Sequence, residues 1–137
     1  MASVLAFALG ETASSEEFVA LIKQGIDKDT SPDRFTTIDE TIEYTDARGY
    51  PCVKYQGTAE DKKARIPLFK REPQKLQIYS LYCRHPTRPS LGFAIIFSHR
   101  GANLDPEVEQ QGQDFISGVV VPLPVAPPNP NEGTGGN

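Results

Sequence analysis

Both histidines of this 137-residue chain, and one of its two cysteines, fall within Leu81–Gly101. Cys83-Arg84-His85 stands near the start of that stretch and His99-Arg100 near its end. Cys83 and His85 are spaced i, i+2, which puts two side chains on one face of a strand. A thiol beside an imidazole is the start of a nucleophile–base pair, and a nearby arginine would grip a carboxylate or phosphate. That reading has weak support. Residues i and i+2 lie about 6.5–7 Å apart along a strand, and nothing in the pattern supplies oxyanion donors. The sequence holds no Gly-x-Ser-x-Gly, no HExxH and no glycine-rich phosphate loop.

The two histidines do not help each other. With Thr87–Ser90 as the turn, His85 faces Gly92 and Ile78 faces His99. The imidazoles then stand about 23 Å apart, at ~3.3 Å per residue, on opposite faces of the hairpin. They cannot share a metal or a proton. No CxxC and no Cys/His cluster with ligand spacing exists, so neither a metal nor a cofactor is expected. The expectation is that this chain is not an enzyme.

Cys83 has a second use. If the strand holding Cys52 pairs with the strand holding Cys83, a disulfide can close between them. Such a bridge points away from the cytoplasm; two buried free thiols are the alternative. The start, "MASVLAFALG", lacks a basic n-region and reads as a first strand. On this reading a leader has been removed, and the protein is periplasmic or membrane-anchored facing the periplasm; a cytoplasmic location is the alternative. No run reaches the ~20 apolar residues of a membrane helix.

Charge is unevenly spread. Residues 1–45 carry three Lys or Arg against nine Asp or Glu, residues 46–100 eleven against four, and residues 101–137 none against five. The net charge of −4 speaks against a nucleic-acid partner. The basic middle instead suggests a surface for a protein or an anionic ligand. It is built on Lys62, Lys63, Arg65, Lys70 and Arg71, with Arg84, Arg88 and Arg100 as rim. Ile66, Pro67, Leu68 and Phe69 form an apolar knot inside that segment.

The elements that must position these groups follow from periodicity. "TASSEEFVALIKQGIDKD" is a helix with Ser14 and Glu17 at capping-box spacing and a stripe of Phe18, Leu21, Ile22 and Ile26. "RFTTIDETIEYTDARGYPCVKYQG" is a hairpin that turns at Asp46–Gly49. Its first strand places Thr36, Ile38, Glu40, Ile42 and Tyr44 on one face, and Phe35 on the other. "KLQIYSLYCRH" and "LGFAIIFSH" are two long strands, the second apolar on both faces and therefore central.

"NLDPEVEQQGQDFISGVVV" opens a second helix capped by Asp105, with Gln111 and Gly112 weakening its apolar face. The fold class expected is α+β, an antiparallel β-meander of four or five strands with two flanking helices. Residues 1–126 make one domain, and residues 127–137, rich in Pro, Gly and Asn, a disordered tail. Oligomeric state is not legible. The function that fits is a non-enzymatic extracytoplasmic accessory or binding domain of a bacterial envelope. The alternatives are a small cytoplasmic interaction or chaperone-like domain using the basic surface, and a Cys/His-dependent enzyme.

Overall fold

A computed structural model describes residues 1–62 and 74–122. Five antiparallel strands form one sheet: β1 (Ala2–Ala8), β2 (Phe35–Thr45), β3 (Cys52–Asp61), β4 (Gln74–Arg84) and β5 (Leu91–Gly101). Two helices, α1 (Ser15–Asp29) and α2 (Val108–Gly118), cover its opposite faces. Strand order is β1-β5-β4-β3-β2. β2 to β5 are therefore the expected meander, and β1 adds to the far edge beside β5. The fold is α+β. Both edge strands run parallel to each other, and the segment that carries α1 connects them.

Each element forms for a local reason. The Ser14 hydroxyl accepts from the Glu17 N–H at 3.2 Å, and the Glu17 carboxylate accepts from Ala13 N–H at 2.7 Å. The pair satisfies backbone donors that a helix start leaves open. Phe18, Ile22 and Ile26 are the buried stripe of α1, packed on Leu9, Val53 and Tyr55. The β2–β3 turn closes through Gly49, whose φ of 93° a side chain rarely adopts, with its N–H bonded to Asp46 O at 2.9 Å.

Four local expectations are corrected. First, β4 and β5 pair Arg84 with Gly92 and Gln77 with His99, one residue away from the expected register. The loop is longer because His85 itself shapes it: its Nδ1 accepts from the N–H groups of Thr87 and Arg88, each at 3.2 Å. A one-residue slip moves every side chain to the other face. His85 and His99 consequently share a face, although about 26 Å of strand still separates them. Second, a bulge between Thr37 and Asp39 makes Ile38 the extra residue of β2, exposed at the edge. The bulge returns Phe35 to the face of Ile42 and Tyr44.

Third, α2 begins at Val108, and Asp105 caps the turn before it by accepting from Glu107 N–H at 2.9 Å. Fourth, Gly112 strengthens the apolar face of α2 by letting it approach Tyr79 closely. The core carries the rest. Ile95 and Ala94, on opposite faces of β5, are both fully buried, as a strand covered on both sides requires. The proposed tail, and the last residues assigned to the domain, lie outside the described residues. No described helix is long and apolar enough to cross a membrane.

Candidate functional site

Cys52 and Cys83 face each other across β3 and β4, with Cα atoms 4.0 Å apart and sulfurs 2.13 Å apart. Both side chains are fully buried. This pairing removes Cys83 as a nucleophile. His85 is tied into its own turn and stacks edge-on against Phe93, so the two halves of the nucleophile–base pair are separately engaged.

The described basic residues also separate. The Arg100 guanidinium is bonded to the carboxylate of Asp61, which is fully buried and also held by Arg34 at 2.9 and 3.0 Å. Burial and the neighbouring Arg34 lower the proton affinity of Arg100. Arg84 reaches the carbonyls of Gly10 and Pro89 and the hydroxyl of Thr12, and its guanidinium lies 5.4 Å from the centre of the Phe18 ring. These two arginines brace the fold. Lys62 is exposed and donates to Pro32 O at 3.1 Å, and Arg88 is exposed on the β4–β5 loop. Lys63, Arg65, Lys70 and Arg71, with the knot Ile66–Phe69, lie outside the described residues.

The site the structure does assemble is a groove between α1 and the sheet. Arg84 pins the start of α1, and Lys23 on α1 bonds Glu40 on β2 at 2.8 Å. The helix is thereby held over β2 and β3, away from β5 and β1. The sheet face left open is floored by Phe7, Tyr82 and Ile96 and walled by Leu21, Gly25 and Lys28 of α1. The floor is flat because the Phe7 ring lies over Gly92, its cross-strand partner, where a Cβ would collide with it.

The cavity measures about 360 Å³. A second depression of about 210 Å³ adjoins it, sharing Ile26, Asp29, Tyr82 and Ile96, and runs under the end of α1 toward Phe35 and Ile78. Mid-helix Gly25 borders this space. A Cβ added there meets no atom within 4 Å.

The electrostatics are those of an apolar trough with neutral phenols. Burial pushes the Tyr82 hydroxyl above its ordinary range. Burial, and the Glu40 carboxylate that accepts its proton at 2.9 Å, do the same for Tyr55. Lys23 holds Glu40 below the usual carboxylate range. Gln24, Lys28 and Asp29 supply a polar rim. The described lining carries no thiol and no imidazole. What it offers is volume, apolar contact and a few hydrogen-bonding groups, which is the composition of a ligand site. Sequence reasoning passed over this groove. Its one signal was a glycine in the middle of an otherwise strong helix.

No family model, no curated protein and no solved structure matches the chain.

Proposed function

We propose that the chain is a non-enzymatic binding domain that takes an apolar ligand into the groove beneath α1 and works in an oxidising compartment, the bacterial envelope. The observation that carries the reading is Gly25. Glycine inside a helix costs about 1 kcal/mol relative to alanine, and no neighbour within 4 Å requires its small size. What the glycine preserves is the open space of the groove. The buried Cys52–Cys83 pair supports the choice of compartment, since such bridges persist where thiols are oxidised.

The test is Gly25→Leu, with decanoate and an environment-sensitive naphthalene dye as probes. The substitution should fill the trough and abolish binding while the melting temperature holds or rises. Probe binding that is absent from the unmodified protein, or that survives Gly25→Leu undiminished, would overturn the reading.

A further inference from the structure

The two edges of the sheet are built differently. β2 carries Asp39, Glu40 and Glu43 and a bulge at Ile38, the devices that discourage another strand from adding on. β1, Ala2–Ala8, has no charge, no proline and no bulge. Neither helix guards it: α1 packs on β2 and β3, and α2 on β4 and β5.

The hydrogen-bond phase of β1 is fixed at both ends. Met1 and Ser98 exchange backbone bonds at 2.6 and 2.8 Å, and Leu9 N–H donates to Ser90 O at 2.9 Å. Residues of that phase, Ser3, Leu5 and Phe7, turn their backbone groups toward β5. The N–H and C=O groups of Ala2, Val4, Ala6 and Ala8 therefore point outward, where no described strand meets them. Val4 is 54% exposed and Leu5 46%, one on each face of the strand.

We infer that β1 is the contact for a second copy of this chain, paired antiparallel about a two-fold axis through Leu5. One register engages all four outward residues: Ala2 opposite Ala8 and Val4 opposite Ala6, each pair formed twice by the symmetry. It sets Leu5 against Leu5 of the other copy in a non-hydrogen-bonded pair, where side chains approach most closely. Both exposed apolar side chains are then covered, no like charges meet, and the two sheets become one. The inference does not depend on what the groove binds.

Light scattering across a micromolar to millimolar range, on the full chain, should give a mass of two chains. Val4→Pro should return it to one chain. The N–H it removes points outward, so the β1–β5 ladder and the melting temperature should be kept. On mild oxidation Leu5→Cys should cross-link to a covalent dimer, because a non-hydrogen-bonded pair brings Cα atoms to about 4.5 Å. Val4→Cys alone should not cross-link, and Val4→Cys with Ala6→Cys should. A single-chain mass throughout the range overturns the inference. So does a dimer that Val4→Pro leaves intact, or a Leu5→Cys variant that cross-links no better than Val4→Cys.

Discussion

Gly112 of α2 sits directly on Tyr79 of β4: a Cβ built on the glycine would stand 2.6 Å from the Cβ of the tyrosine. That contact sets how closely the helix lies on the sheet. Gly112→Ala should push the helix off its seat and destabilise by about 1–3 kcal/mol, the range for overpacking, despite alanine's better helix propensity. Gly25→Ala makes the same chemical change in open space and should stabilise by about 1 kcal/mol. Chemical denaturation of the two variants checks the opposite signs.

The native mass should be about 2 Da below that of the reduced protein, as one bond between two thiols requires. Replacing both Cys52 and Cys83 by serine or alanine should lower stability by about 3–4 kcal/mol in the chain-entropy account, for a sequence separation of 31. Two thiols titrating in the unfolded, unreduced protein would contradict the bridge and remove the support for an oxidising compartment.

Asp61→Asn should destabilise by about 2–3 kcal/mol, since it leaves Arg34 and Arg100 facing each other without the buried carboxylate between them. The figure is set below that for a fully buried pair because both guanidiniums are partly exposed. The loss should change little with salt, because the carboxylate is out of reach of screening ions. Urea unfolding at low and high salt measures both.

Glu40 is held below its ordinary pKa chiefly by Lys23. A carboxylate so depressed adds stability that is complete above its unfolded pKa, about 4.3, and is lost as pH falls through the folded value. Glu40→Gln should therefore lower stability at neutral pH and flatten its decline on acidification. Melting temperatures of the two proteins, followed from pH 6 to about pH 3, should converge at the acid end.

What was readable in the sequence, and what was not, divides along one physical line. The Phe18, Ile22 and Ile26 stripe of α1, the Asp46–Gly49 turn and the apolar character of β5 depend on residues close in the chain and stand as expected, whereas Leu21, expected in that stripe, walls the groove instead. The partnership of Cys52 and Cys83 was legible once two strands were taken as neighbours. The β4–β5 register was not, because it turned on His85 accepting two backbone bonds, which no propensity encodes. Ile38 was grouped on one face with Ile42 and Tyr44, and Phe35 on the other, because alternation cannot reveal a bulge. The groove was invisible for a further reason: it exists where α1 is absent, and an uncovered part of a sheet face leaves no pattern along the chain. The fates of Arg84 and Arg100 were hidden likewise, since Gly10, Thr12 and Phe18, which hold Arg84 to the other end of the chain, and Asp61, which holds Arg100, stand far away in sequence.

β2 to β5 each pair with a neighbour in the chain, so their ladders cost only short loop closures. β1 is different: Ala2 must find Phe97. The contact order of the sheet is concentrated in that single strand, and the entropy of closing so long a loop makes it the late arrival in folding. Until it docks, β5 is itself the edge, with the backbone groups that face β1 unpaired. Whatever occupies that edge first decides whether the chain closes on itself, so the order of assembly sets the time during which a nascent copy is open to strand exchange with another.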